Sequence, residues 1–79
     1  MAFEKYFILD GEKVLFAFKF EYDPDEVRYV ISYRSRNELK RYSMRANANG
    51  KWKFNPKTEE TRMLNLEDDF AKAIDLHSA

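Results

Sequence analysis

The sequence predicts an α+β domain: a five-stranded antiparallel β-meander, in strand order 1-2-3-4-5, with one C-terminal helix packed across its inner face. Three observations predict this fold. Apolar and polar residues alternate along most of residues 3–54, as in strands with one buried face. Turn-forming residues interrupt the alternation at intervals. After Asn65 the apolar spacing changes to the period of an amphipathic helix.

The first two turns determine how strands 1, 2 and 3 pair. Asp10-Gly11 is typical of a two-residue hairpin loop between strands 1 and 2. Residues 23–26 have Pro and Asp where a type I turn favours them, which places Tyr22 opposite Val27. Both registers keep the large apolar side chains on one face of the sheet, as a half-buried sheet requires.

The third and fourth turns are predicted from the same requirement. A loop over residues 36–39 would place Tyr33 opposite Tyr42. At the fourth turn, a two-residue Asn49-Gly50 loop would move Trp52 to the polar face. A three-residue loop with a left-handed Gly50, a G1 bulge, instead places Ala46 opposite Trp52. We choose the bulge because it keeps the apolar residues together.

The remaining residues predict a loop, a short strand and the helix. Residues 56–61 read as a loop, and residues 63–64 as a short additional strand. Asn65 is the expected N-cap, followed by acidic residues 67–69, which the helix dipole favours in a first turn. The predicted buried face of the helix consists of Leu66, Phe70, Ala73, Ile74 and His77.

Aromatic residues dominate the predicted inner face. The chain has 7 Phe, 5 Tyr and 1 Trp, and all of them except Tyr6 fall on inward positions. Five strands span roughly 19 Å, whereas a helix is about 10–12 Å across. Either the sheet coils round the helix or part of this face contacts another molecule. We therefore expect a homodimer.

Composition restricts the class of protein. We expect one domain over residues 1–79, without a membrane span, because no apolar run approaches the roughly 20 residues that a membrane helix needs. The chain has no Cys, which favours a reducing compartment and a cytoplasmic location. Its one His is His77, near the end of the helix. We find no catalytic, metal or cofactor motif, so we expect a protein that is not an enzyme.

Charge is segregated along a chain whose net charge is zero. Residues 1–27 carry three basic and seven acidic side chains (net −4), and residues 28–57 carry nine basic and one acidic (net +8). Residues 58–79 return to net −4, with two basic and six acidic side chains. On the predicted strands, many of the central basic residues face outward at spacings of roughly 7 Å.

This pattern predicts a surface for single-stranded DNA or RNA, with phosphates held by basic residues and bases stacked on an aromatic side chain. The candidate residues are Arg28, Arg34, Arg41, Arg45, Lys51, Lys53 and Tyr6. Two alternatives remain open. The basic strands could be an ordinary solvated surface, neutralised by the acidic flanks folding back on them. The chain could also be a protein-interaction module that uses surplus aromatic surface or an open strand edge.

The order of elements resembles that of the PUR repeat and of the Whirly-type single-strand DNA-binding proteins. The resemblance is carried by the segments 14–21 (VLFAFKFE), 28–34 (RYVISYR) and 63–74 (MLNLEDDFAKAI). It implies a β-meander closed by one helix and binding of single-stranded nucleic acid through the sheet, without catalysis. Because PUR domains pair two repeats and one unit fits here, the resemblance also implies a dimer.

Overall fold

A computed structural model describes residues 2–78 and contains one antiparallel sheet in the order β1-β2-β3-β4-β5, followed by helices. This confirms the predicted meander with its C-terminal helix. The strands β1 to β5 are Ala2–Leu9, Glu12–Asp23, Glu26–Ser35, Glu38–Ala46 and Trp52–Phe54. The helices are α1, Thr61–Leu64, and α2, Glu67–Ser78. Among the described residues, no helix is long and apolar enough to cross a membrane.

The predicted pairing of β1, β2 and β3 is confirmed. Asp10 and Gly11 both have left-handed backbone angles (φ 52° and 79°), as a two-residue hairpin of this kind requires. Tyr22 lies opposite Val27 across the next turn. These two turns bring the buried apolar residues of the three strands, among them Phe16, Phe18 and Ile31, to one face.

The predicted bulge between β4 and β5 is also confirmed. Gly50 has φ 77°, a conformation that glycine adopts without the strain of a Cβ atom. The Asn47 N–H donates to the Lys51 carbonyl at 2.8 Å, and Ala46 lies opposite Trp52. Trp52 therefore stays on the inner face.

The predicted register between β3 and β4 is wrong by two residues. The turn consists of Arg36 and Asn37 alone, closed by Ser35 opposite Glu38, so Tyr33 lies opposite Lys40 rather than Tyr42. Arg36 adopts a left-handed φ of 60°, which is uncommon for a residue other than glycine and carries no clear sequence signal. A shift of two residues preserves the alternation of faces, so the inner and outer sets are unchanged.

The segment before the main helix also differs from the prediction. Residues 63–64 belong to the helix α1, which begins at Thr61, and do not form a strand. Asn65 has helical angles (φ −66°, ψ −20°) and is the C-cap of α1, not the N-cap of α2. Its N–H donates to the Thr61 carbonyl at 3.0 Å. The short helix directs Met63 into the core, where it is fully buried, and this burial takes the place of strand pairing.

The helix α2 crosses the inner face from β5 to β1. Its first residue, Glu67, binds Phe54 of β5, and near its other end the His77 ring stacks on Phe3 of β1 at 3.8 Å between centroids. The fully buried Phe70 lies between them. The sheet curls round the helix, so most of the aromatic face is covered. Tyr22 remains 71% exposed, because it lies near the hairpin tip at the end of β2.

The Glu67 side chain binds the backbone of the short edge strand β5. Its Oε2 accepts a hydrogen bond from the Phe54 backbone N–H at 2.8 Å, and its Oε1 lies 3.4 Å from the Lys53 Nζ. An N–H at the edge of a sheet otherwise has only water as a partner, and a buried one without a partner is costly. The carboxylate therefore joins α2 to the sheet at its first residue.

Replacing Glu67 by alanine should lower the free energy of unfolding by about 1–3 kcal/mol, because a partly buried donor loses a charged acceptor. Chemical denaturation measures this loss, and hydrogen exchange should show faster exchange at the Phe54 amide. Asp68→Ala is the matched control: it removes the same charge from the same helical turn, but Asp68 makes only an exposed ion pair with Lys51 at 3.8 Å. Equal effects of the two substitutions would contradict a specific role for Glu67.

Candidate nucleic-acid interface

The face of the sheet opposite α2, here called the outer face, has an open depression at its centre. Ala17 of β2 and Ser32 of β3 lie directly opposite each other, and these small side chains leave space between larger neighbours. Two adjoining hollows, of about 830 and 560 Å³, share Ala17, Ser32, Glu4 and Leu39 in their walls. The depression is broad and open to solvent, as a groove for an extended chain needs to be.

At the end of the outer face near the β2–β3 turn, basic and acidic side chains pair. Arg28 contacts Glu21 at 3.1 Å and Glu26 at 3.9 Å, and Arg45 contacts Glu26 at 3.4 Å. The acids come from the negatively charged first third of the sequence. Two of the six predicted phosphate contacts are therefore already neutralised.

At the β5 edge, the two lysines predicted to bind phosphates pair with the start of α2. Lys51 Nζ lies 3.8 Å from Asp68, and Lys53 Nζ lies 3.4 Å from Glu67. Folding of the acidic flanks onto the basic strands, which the sequence left open as an alternative, occurs at Arg28, Arg45, Lys51 and Lys53. Pairing of distant strands and helix docking create the pairs of Arg45, Lys51 and Lys53, so those partners could not be read from local sequence. The predicted register does place Glu21 opposite Arg28.

Arg34 and Arg41 are the two predicted contacts that keep exposed charge. Within residues 2–78, neither forms an ion pair with a described side chain. Arg34 lies opposite Leu39, and Arg41 lies opposite Ser32, two residues away on each strand. The two guanidinium groups therefore start from diagonal positions on neighbouring strands, about 7–8 Å apart in a regular sheet.

Exposed apolar side chains lie in the same part of the outer face as these two arginines. Tyr6 and Leu15 are directly opposite each other on β1 and β2, with 54% and 39% of their surfaces exposed. Leu39, 43% exposed, lies across from Arg34. Leu39 was missed by the sequence analysis, which assigned it to a turn; the two-residue turn places it on the outer face. We call Tyr6, Lys13, Leu15, Arg34, Leu39 and Arg41 the basic end of the sheet.

Lys13 connects Tyr6 to the smaller hollow. Its Nζ lies 4.6 Å from the centroid of the Tyr6 ring, a cation–π contact. It also lines the hollow together with Leu15 and Arg34. The acidic residues Glu4 and Glu12 border the same hollow on the β1–β2 side. Positive charge is consequently concentrated on the β3–β4 side of the basic end.

Hydrogen bonds on the inner face brace this same end of the sheet. Arg62 of α1 donates to Asp10 at 2.7 Å and to the Tyr33 hydroxyl at 3.3 Å. The Tyr42 hydroxyl donates to Glu60 at 2.9 Å. Burial, and then this hydrogen bond, raises the pKa of Tyr42 well above its usual range. These contacts link α1 and the preceding loop to β3, β4 and the β1–β2 turn, and fix the strands that carry the basic end.

Within the described residues, no three His, Asp or Glu side chains come together in a way that could hold a metal ion. The surface chemistry of the basic end is that of positive charge beside exposed apolar groups. Comparison of the chain with protein families, with curated proteins and with solved structures finds no match. The resemblance to the PUR repeat therefore remains one of element order, and a function has to be argued from the surface itself.

Proposed function

We propose that the basic end of the sheet binds single-stranded DNA or RNA. The observation that supports this proposal most directly is that Arg34 and Arg41 keep unneutralised charge on neighbouring strands. Exposed Leu15 and Leu39 line the same hollow as Arg34, and exposed Tyr6 lies opposite Leu15. Arginine holds phosphate oxygens through two parallel hydrogen bonds, and an aromatic ring accepts the face of a base. An extended single strand presents both groups at once, whereas the bases of a duplex are already stacked.

The other four basic residues have a secondary role in this proposal. Arg28, Arg45, Lys51 and Lys53 would have to exchange an acidic partner for a phosphate. Exposed ion pairs contribute little, about 0–1 kcal/mol, so the exchange is possible, but its net gain is small. These residues add long-range attraction more than contact affinity. No catalytic step forms part of the proposed function.

Salt dependence tests the proposal. If Lys13, Arg34 and Arg41 each neutralise one phosphate, the affinity for a labelled single strand of about 20 nucleotides should fall roughly 20-fold between about 50 and 200 mM salt. Fluorescence anisotropy measures this. Absence of binding at the lower salt concentration contradicts the proposal.

A protein partner is the second candidate, favoured by the exposed apolar surface of the basic end. Tyr6, Leu15 and Leu39 would then supply the centre of an interface and the arginines its polar rim. Binding through such a centre changes little with salt. A partner whose affinity is the same at low and high salt, together with no binding of oligonucleotides, would favour this candidate.

The expected homodimer is part of the same proposal. Tyr22 and Val27, which pair near the β2–β3 turn, are 71% and 39% exposed on the inner side of the sheet, and the partly buried Trp52 also belongs to that side. Light scattering at tens of micromolar should give twice the mass of the chain. A monomeric mass at that concentration would exclude the dimer.

A further inference from the structure

The contact between Lys13 and Tyr6 places a positive charge over a flat aromatic surface. The Lys13 Nζ is 4.6 Å from the ring centroid, and both side chains are exposed. Among the residues that the structure describes, Tyr6 is the one aromatic residue on an outward position. Its neighbour Leu15, directly across the β1–β2 pair, extends the apolar surface towards the smaller hollow. The Tyr6 ring therefore has the apolar side chain of Leu15 on one side and the Lys13 ammonium group over its face.

We infer that Tyr6 is a base-stacking site that Lys13 occupies in the free protein, and that a nucleobase displaces the ammonium group on binding. The displaced Lys13 then takes a phosphate of the same strand. This inference rests on the proposed function and deepens it: it assigns the base to Tyr6 and the accompanying phosphate to Lys13.

Two physical comparisons favour the exchange. Stacking of a base on an aromatic ring is stronger than a cation–π contact at an exposed site. The ammonium group also loses little when it leaves the ring, because it gains a charge-assisted hydrogen bond to phosphate. On the opposite wall of the hollow, Arg34 is placed to hold the phosphate of a neighbouring nucleotide.

An abasic oligonucleotide separates stacking from charge, because it has the phosphates of an ordinary single strand and none of its bases. The wild-type protein should bind the ordinary strand roughly tenfold more tightly than the abasic strand of the same length. Tyr6→Leu should remove this preference by lowering the affinity for the ordinary strand alone. Tyr6→Phe, which keeps an aromatic ring, should retain the preference. Lys13→Met should keep the preference and reduce the slope of log affinity against log salt by about 0.7.

The outcomes distinguish the inference from the function on which it rests. If ordinary and abasic strands bind equally well to the wild-type protein, no base stacks on Tyr6 and this inference is wrong. The proposed binding of phosphates by the basic end would then still be supported. Equal weakening of both strands by Tyr6→Leu likewise overturns the stacking role, since it would show a general effect on the surface. If neither strand binds at low salt, both the inference and the proposed function fail. Circular dichroism of each variant confirms that the exposed substitutions leave the fold intact.

Discussion

Replacing Phe70 by alanine is expected to lower the free energy of unfolding by about 4 kcal/mol, the usual cost of removing a buried phenyl ring. Phe70 is fully buried, and its ring is the centre of the aromatic core. The centroids of four other rings lie 4.9 to 6.1 Å from it: those of Phe7, Phe16, Phe18 and Phe54. Since a chain of this length has about 4–12 kcal/mol of total stability, the variant should lose between roughly a third and all of it.

Urea denaturation followed by circular dichroism measures this effect. Phe70→Leu, which keeps most of the apolar volume, should retain a cooperative transition at a lower urea concentration. Leu76→Ala is the control for loss of an apolar side chain from the same helix, because Leu76 is 71% exposed and its removal should change stability by about 0.5 kcal/mol or less. If Phe70→Ala were no more destabilising than Leu76→Ala, α2 would not be covering the sheet as described.

The double substitution Arg34→Glu with Arg41→Glu is expected to weaken binding of single-stranded nucleic acid roughly 100-fold at low salt. Each charge-assisted hydrogen bond contributes about 1.5 kcal/mol or more, and the new carboxylates repel phosphate. Both residues are exposed on the outer face, so the free energy of unfolding should change by about 0.5 kcal/mol or less. Fluorescence anisotropy and urea denaturation of the same variant measure the two quantities.

Net charge requires a control of its own, because the double substitution changes it by four units. Lys57→Glu with Lys72→Glu makes the same change at exposed positions in a loop and on α2. It should weaken binding far less, through long-range repulsion alone, and that difference should vanish at high salt. Equal losses in the two double variants would mean that binding follows overall charge and has no site at the basic end.

The parts of the fold that were predicted correctly depend on short-range chemistry. Asp10-Gly11 and Gly50 adopt positive φ angles that their residue types favour, and the alternation of apolar residues then selects one register. The predictions were wrong where local preference did not decide the conformation. Arg36 takes a left-handed angle that its residue type does not favour, and Asn65, a residue type that favours N-caps, instead ends α1.

The candidate site likewise has features that the sequence predicts and features that depend on tertiary structure. The outward direction of Arg34, Arg41 and Tyr6 follows from strand alternation alone. Neutralisation of Arg45 and Lys53 does not, because Arg45 reaches Glu26 only through the pairing of distant strands, and Lys53 reaches Glu67 only after α2 has docked. Ion pairs of this kind depend on tertiary structure, so charge counted along the sequence overstated the basic surface.

Because α2 covers one face of the sheet alone, alternate residues of each strand have separate roles: the inward ones form the core and the outward ones form the exposed surface. On β3, Tyr33 is buried in the core, whereas the next residue, Arg34, is exposed at the basic end. On β1, Phe7 packs against Phe70 and its neighbour Tyr6 faces solvent. Ligand preference could therefore diverge at every second position of the sheet while the alternate positions continue to hold the same architecture.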